Sequence, residues 1–81
     1  MSAKEELISS LDRLNTTTLG VERIRRNLCL DTDDVVAWCR KIIKSPLSHV
    51  TREGKNWYIS ADACRITINA HSLTVITAHK I

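Results

Sequence analysis

The sequence predicts an α+β fold in which two or three N-terminal helices pack on one face of a four-stranded antiparallel meander sheet. Apolar residues recur every three or four positions as far as Lys44, and at every second position after Pro46. Short polar turns separate the second group of segments, and such short connections join antiparallel strands. The 81 residues fit a single domain, 1–81, with a helical half at 3–44 and a sheet at 48–80.

A first helix is expected over Ala3–Leu14, where three leucines share one side, at Leu7, Leu11 and Leu14. Residues 15–18 then form a turn, because Asn and Thr side chains cap helices and bond nearby backbone. A second helix follows and runs to about Leu28, with an apolar stripe of Val21, Ile24 and Leu28. Gly20 either weakens this helix by about 1 kcal/mol relative to Ala or marks a close backbone approach.

A third helix is expected to begin after Asp31, which is a suitable N-cap, with Asp34 three residues on as a variant of the capping box. Asp33 adds negative charge to the first turn, where the helix dipole favours it. The apolar side of this helix consists of Val35, Cys39 and Ile42. Pro46 ends the helix, because the residue before a proline avoids helical backbone angles.

Four strands are expected, at His49–Glu53, Asn56–Ser60, Cys64–Asn69 and Leu73–Lys80. Gly54 and Lys55 form the tight turn of the first hairpin. In the third strand, strict alternation separates Ile66 and Ile68 from Arg65, Thr67 and Asn69. In the fourth strand it separates Leu73, Val75, Thr77 and His79 from Thr74, Ile76 and Ala78. The sequence leaves open which face the helices cover.

The composition excludes several classes of protein. A hydrophobic fraction of 43% and a charged fraction of 26% are ordinary for a globular protein and argue against disorder. No segment is suited to span a membrane, and the N-terminus lacks the apolar region of a secretory signal, so we expect a cytoplasmic protein. The three cysteines are an odd number, which argues against a disulfide framework and favours small buried residues.

No motif indicates a cofactor or a metal. The histidines His49, His71 and His79 lack the spacing of metal ligands, and no phosphate-binding loop, dinucleotide-binding loop or pair of carboxylates occurs. The net charge of +3 permits, but does not require, contact with nucleic acid or an acidic protein. We therefore expect no cofactor and no metal site, and RNA or another protein as the partner.

Arginines of the second helix are the first candidates for a binding site. Arg23 and Arg26 lie within one turn of each other, and guanidinium groups suit phosphate oxygens. The hydroxyls and free N–H groups at the start of this helix can bind an anion as well. The alternative is a solvated helix face without a ligand.

The sheet supplies the other candidates. His79, near the end of the fourth strand, can act as a general acid or base near neutral pH, and Thr77 shares its face. Tyr58 can stack on a base or align a phosphate. Because Trp57 and Tyr58 are adjacent in a strand, they face opposite sides, and one belongs to the core. The alternatives are an exposed histidine and a tyrosine that only packs on the sheet.

Four segments of the chain resemble an uncharacterised bacterial family of small proteins without an assigned function. They are Thr17–Leu28 (TTLGVERIRRNL), Gly54–Tyr58 (GKNWY), Ile66–Ser72 (ITINAHS) and Val75–His79 (VITAH). The likeness extends from about residue 15 to residue 80, which is nearly the whole chain. It brings no established activity.

A more distant likeness is to small metal-independent ribonuclease toxins, the barnase, colicin and RelE-like nucleases. It is carried by the helix with Glu22-Arg23-Ile24 and Asn27-Leu28, a second helix opening on acidic residues, and strands ending in Val75-Ile76-Thr77. In that group a sheet carries basic and hydrogen-bonding residues that face a cleft beside the helices. The resemblance implies a site built from Arg23, Arg26, Arg65, Thr77 and His79, with His79 and Arg23 in catalysis.

Three functions remain open. We rank first a non-enzymatic interaction module that binds nucleic acid or a protein partner. The second is a metal-independent ribonuclease, in which His79 transfers the proton and arginines stabilise the phosphorane. The third is a homo-oligomer, such as a homodimer, in which a sheet edge or an apolar helix face completes a thin core.

Overall fold

The computed structural model describes residues 2–32, 34–61 and 63–81, and it confirms the α+β architecture. The helices α1 (Ala3–Ser9), α2 (Thr18–Leu28) and α3 (Val35–Lys44) come first, with a 3-10 turn at Leu11–Arg13 after α1. The strands β1 (His49–Glu53), β2 (Asn56–Ala61), β3 (Cys64–Asn69) and β4 (Val75–Lys80) follow. They form one antiparallel sheet in the order β1-β2-β3-β4, as a meander requires.

One aliphatic layer joins the helices to the sheet. On the sheet side, Ile59, Ile66 and Ile68 have no exposed surface. They belong to a single cluster with side chains from all three helices, among them Leu7, Ile24 and Ile43. Burying a side chain of this size stabilises the fold by about 1.5–3 kcal/mol. The helices therefore cover the face of these isoleucines, and the other face of the sheet stays open.

The first helix is shorter than the expected Ala3–Leu14. It ends at Ser9, and the Ser10 N–H donates back to the Leu7 carbonyl at 3.0 Å. Serine favours such breaks because its hydroxyl bonds nearby backbone, as the Ser9 hydroxyl does with the Glu6 carbonyl at 2.7 Å. Beyond the break, Arg40 of α3 donates from Nε to the Leu11 carbonyl at 3.0 Å. A tertiary contact thus satisfies a carbonyl of the interrupted helix.

Helix α2 begins within the expected run of threonines. Thr17 is its N-cap, and its hydroxyl accepts from the Gly20 N–H at 2.9 Å. Gly20 is buried, and a Cβ at this position would collide with the Thr16 hydroxyl. That hydroxyl donates to the Val75 carbonyl of β4 at 3.1 Å. Gly20 therefore marks a close approach, which is one of the two interpretations that its position in the sequence allows.

Helix α3 begins later than expected. Asp34, not Asp31, is the N-cap, and its carboxylate accepts from the Ala37 N–H at 3.1 Å. The Asp34 N–H in turn donates to the Thr32 hydroxyl at 3.1 Å. Asp31 lies in the preceding link, and Asp33 lies outside the described residues. Several acidic residues in a row can each cap a helix, so the sequence alone does not select among them.

The expected alternation of β4 is wrong at one point. Thr77 pairs with Thr67, whereas Val75 pairs with Ile68, so Ile76 is an extra residue that forms a β-bulge. Val75 therefore faces the core and not the side of Thr77 and His79, and the buried Ala78 does not share a face with the exposed Ile76. The strand also begins at Val75, because Leu73 has a positive φ of 56° in the preceding turn.

The outer edge of β4 is covered by the segment before α2 and by α2 itself. The Asn15 N–H donates to the Leu73 carbonyl at 3.0 Å, and the Val75 N–H donates to the Asn15 carbonyl at 2.8 Å. Further along, the Asn27 amide donates to the Ala78 carbonyl at 3.2 Å. These bonds use backbone groups that an edge strand otherwise presents to solvent.

No helix in the described part of the chain is long and apolar enough to cross a membrane. Among the described cysteines, Cys29 is exposed, Cys39 is buried and Cys64 is half-buried, and none of the three is in a disulfide bond. Only Cys39 lies in the core as the sequence predicts for all three. Burial raises the pKa of the Cys39 thiol to about 12 from its ordinary value of 9.0, because the thiolate would lose its hydration.

Gly20→Ala should lower the free energy of unfolding by about 1–3 kcal/mol, although Ala is the better helix former. The new methyl group would displace the Thr16 hydroxyl from its bond to β4. In a Thr16→Ala background the same change should cost clearly less, because the collision with the Thr16 hydroxyl is gone and the Thr17 hydroxyl, 3.2 Å from the new methyl group, is the remaining close contact. Urea denaturation of the unaltered protein, the two single variants and the double variant measures both effects. A stabilising Gly20→Ala with Thr16 present would contradict the close approach.

Cys39 should make the fold less stable as the pH rises above 9.0. The folded-state pKa is raised, so the unfolded chain loses the proton first, and the stabilising contribution is lost between 9.0 and about 12. Urea denaturation at several pH values should therefore show that the free energy of unfolding falls less steeply with pH for Cys39→Ala than for the unaltered protein. Equal slopes would mean that the thiol is not protected from ionisation.

Candidate nucleic-acid interface

The sheet face opposite the helices carries polar side chains in cross-strand rows. The β1–β2 hairpin turns through Gly54, whose φ is 58°, and the turn closes on the pair Glu53–Asn56. From this closing pair onward, each residue of β1 has a partner on β2, and each residue of β2 has a partner on β3. We call this surface the open face; its members are His49, Thr51, Glu53, Asn56, Tyr58, Ser60, Arg65, Thr67, Asn69, Thr77 and His79.

Tyr58 lies in the middle of the open face. Its row runs Thr51, Tyr58, Thr67 and Thr77 across the four strands, so small hydroxyl side chains flank the ring on both sides. The Asn56 amide donates to the Tyr58 hydroxyl at 3.3 Å, which holds the polar end of the ring. The tyrosine is half-buried, whereas its neighbour Trp57 is 5% exposed on the core side. Trp57 is thus the core member of the aromatic pair, and Tyr58 is the member on the open face.

Arg65 covers the Tyr58 ring. Its guanidinium carbon lies 5.4 Å from the ring centroid, a cation–π distance. The two residues lie on neighbouring strands and one row apart, so the arginine reaches diagonally across the open face. Arg65 itself is exposed, and its N–H donors are available to an anion. The pair therefore offers an aromatic surface and a cation at one place.

The row of Arg65 contains both open-face histidines. It runs His49, Ser60, Arg65 and His79, so His79 is the direct cross-strand neighbour of Arg65 on β4. His49 is at the other end of the row, three strand spacings or about 14 Å away. The sequence pattern alone indicates no partner for His49. The two-residue turn was the signal that could have placed it in this row, because the turn sets the register of β1 on β2.

The sequence-predicted residues fall in two layers. Tyr58, Arg65, Thr77 and His79 come together on the open face. Arg23 and Arg26 lie at exposed positions of α2, which packs on the core side of β4. Arg23 is one turn before Asn27, whose amide bonds the edge of β4. The helix arginines therefore lie in the helical layer, with Arg23 on the flank of α2 that is turned to the sheet edge.

The open face carries one fixed positive charge, Arg65, and further positive charge lies beside it at the turn end of the sheet. Among its described side chains Glu53 is the single carboxylate, and it lies at the corner beside the hairpin turn. At the same end of the sheet, a shallow groove of about 680 Å³ is lined by Arg52, Lys55 and His71, together with Asn69, Ala70 and Ser72. Asn69 belongs to both surfaces, so the groove continues the open face around the turns. Such a surface favours anionic ligands.

The described residues contain no group of three or more His, Cys, Asp or Glu side chains that could hold a metal ion. The side chains of the open face can supply hydrogen bonding, ring stacking, cation contact and proton transfer by imidazole.

Comparison with known proteins gives a family but not an activity. Residues 8–79 match the family described as "Protein of unknown function (DUF3781)". The chain belongs to this family. Neither a search of curated proteins nor a search of solved structures finds a significant match. The resemblance to an uncharacterised family is thus confirmed, while a bacterial source and the likeness to ribonuclease toxins stay predictions.

Arg65→Ala should lower the free energy of unfolding by about 0.5–1 kcal/mol, because the guanidinium no longer covers the Tyr58 ring. In a Tyr58→Leu background the same substitution should cost close to nothing. The measurement is urea denaturation of the double-mutant cycle. An equal cost of Arg65→Ala in both backgrounds would show that the two side chains do not interact.

Proposed function

We propose that this protein is a non-enzymatic module that binds single-stranded RNA on the open face of its sheet. The observation that carries the proposal is the stack of Arg65 on Tyr58 at the centre of an uncovered polar sheet. Single-stranded bases stack on aromatic rings and on guanidinium planes, and their phosphates bind arginine and lysine. The open face offers both contacts side by side.

Hydrogen bonding on the same face suits unpaired bases. Thr51, Thr67 and Thr77 form one row with Tyr58, and Asn56 and Asn69 form the next. Hydroxyl and amide groups can both donate and accept, so they can bond the edges of bases and the 2′-hydroxyl of RNA. The basic groove at the turn end of the sheet is suited to the phosphates of the continuing strand.

Binding is favoured over cleavage by the separation of the histidines. A metal-independent ribonuclease needs a base at the 2′-hydroxyl and an acid at the leaving oxygen of one phosphate. His49 and His79 are about 14 Å apart along their row, which is too far for both to act on one phosphate. Cleavage remains the second candidate because of one observation, the cross-strand pair of Arg65 and His79, which puts a cation beside a proton donor.

The binding test is fluorescence anisotropy of a labelled single-stranded RNA of mixed sequence, about 12 nucleotides long, with a duplex of the same sequence as competitor. Tyr58→Leu and Arg65→Gln should each weaken binding roughly 5- to 100-fold, since stacking on one aromatic residue contributes about 1–3 kcal/mol per base. The affinity should also fall steeply as salt is raised. Tyr58→Phe should keep most of the affinity, because the ring remains.

Lys41→Gln is the matched control, because it removes one positive charge from an exposed position on α3 in the helical layer. It should change the affinity less than Arg65→Gln does. The double variant Arg23→Gln, Arg26→Gln asks whether a bound strand extends around the β4 edge to α2. Equal losses for Lys41→Gln and Arg65→Gln, or no binding at low salt, would rule out the open face as an RNA site.

A separate assay tests cleavage. Total RNA incubated with the protein in EDTA is compared with RNA incubated with His79→Ala. Degradation that depends on His79 would favour the ribonuclease function over the binding module. Background degradation in both samples would exclude catalysis by this residue.

A further inference from the structure

The two outer edges of the sheet differ in what covers them. The β4 edge bonds Asn15, Thr16 and Asn27 through its backbone carbonyls and one N–H. The β1 edge has no such hydrogen-bonded cover: α1 packs against β1, but in the described part of the chain no segment donates to or accepts from the outward backbone groups of this strand. An uncovered edge strand is a template for another strand.

The hydrogen-bond pattern identifies the outward groups of β1. The Ala70 N–H donates to the Lys55 carbonyl at 2.8 Å, so odd-numbered residues of β2 bond toward β3. The even-numbered residues of β2, from Asn56 to Ser60, therefore bond toward β1 and pair with Glu53, Thr51 and His49. It follows that the N–H and C=O groups of Val50 and Arg52 point away from the sheet.

Arg52 does not protect this edge with its charge. Its guanidinium carbon lies 5.1 Å from the centroid of the Trp57 ring, and its Nε donates to the Gly54 carbonyl at 3.0 Å. The side chain is thus folded back over its own hairpin. Charged residues blunt an edge when they stand in the way of an incoming strand, and this one is turned aside.

We propose that β1 pairs with β1 of a second copy of this chain, antiparallel and about a two-fold axis at Thr51. In this register Val50 lies opposite Arg52 of the other copy, and the two residues exchange their outward N–H and C=O bonds. His49 lies opposite Glu53 of the other copy, once on each side of the axis. All five residues of β1 are paired, and the opposed titratable groups are of complementary type.

Registers with the axis two residues away are less favourable. An axis at Glu53 brings the two copies of its carboxylate together, and an axis at His49 brings the two imidazoles together and leaves half of each strand unpaired. Like charges directly opposite each other destabilise a pair of strands. The Thr51 register is the one that uses every outward group of β1 and opposes an imidazole to a carboxylate.

The dimer would be a continuous eight-stranded sheet. A two-fold axis perpendicular to the sheet keeps both helical layers on one side, so the two open faces become one surface with Thr51 at its centre. The proposal concerns the β1 edge alone and does not depend on the ligand of the open face, because none of its bonds involves Tyr58 or Arg65.

The first test is sedimentation velocity over a wide range of protein concentration. The mass should rise from 9.2 kDa toward twice that value. Amide hydrogen exchange followed by NMR gives the register: protection of the Val50 and Arg52 N–H groups should increase with protein concentration. The Thr51 N–H bonds β2 within one copy and should be protected at every concentration. A monomer at all concentrations would overturn the proposal, whether or not another protein adds a strand here.

Charge reversal tests the His49–Glu53 contact. Glu53→Lys should weaken the dimer about tenfold, since two opposed pairs are lost at once. The double variant His49→Glu, Glu53→Lys should restore it. Within one copy these residues are four positions apart, about 13 Å along the strand, so rescue cannot arise inside a chain. Glu22→Lys on exposed α2 makes the same charge change and should leave the dimer unaltered. A dimer that Glu53→Lys leaves unaltered would refute this register.

Discussion

The aliphatic layer between the helices and one face of the sheet is the interaction on which the rest of the structure depends. Ile59, Ile66 and Ile68 are fully buried there against leucine and isoleucine side chains of the helices. A chain of 81 residues has enough helix to cover only one sheet face. The other face must therefore be compatible with water, and it is available for a ligand.

Attachment of α2 to β4 positions this layer. Thr16 and Asn27 donate to the Val75 and Ala78 carbonyls of β4, and Gly20 lets the first turn of the helix come close to Thr16. The same bonds close one edge of the sheet. At the opposite edge, Lys4 of α1 donates to the Ser45 carbonyl at 2.6 Å and to the Ser48 carbonyl at 3.3 Å, which ties α1 to the segment that leads into β1. Helix α1 also packs against β1, but none of these bonds goes to the outward backbone groups of that strand.

Much of the open face was within reach of sequence reasoning. The Gly54-Lys55 turn sets the register of β1 on β2, and alternation then places Arg65 and Thr67 on the face of Tyr58. The bulge at Ile76 was not predictable, because it depends on the packing that buries both Val75 and Ala78 in the core. Without the bulge, Val75 would lie on the same face as Thr77 and His79.

By itself the sequence determined the order of helices and strands, since apolar period and turn residues are local properties. It also identified Tyr58, Arg65, Thr77 and His79 as candidates. The tertiary structure alone decided where α1 stops, which aspartate caps α3, and that Arg23 and Arg26 lie in a different layer from the sheet residues. These outcomes depend on contacts between residues far apart in the chain, such as Arg40 with Leu11, and local pattern carries no information about such contacts.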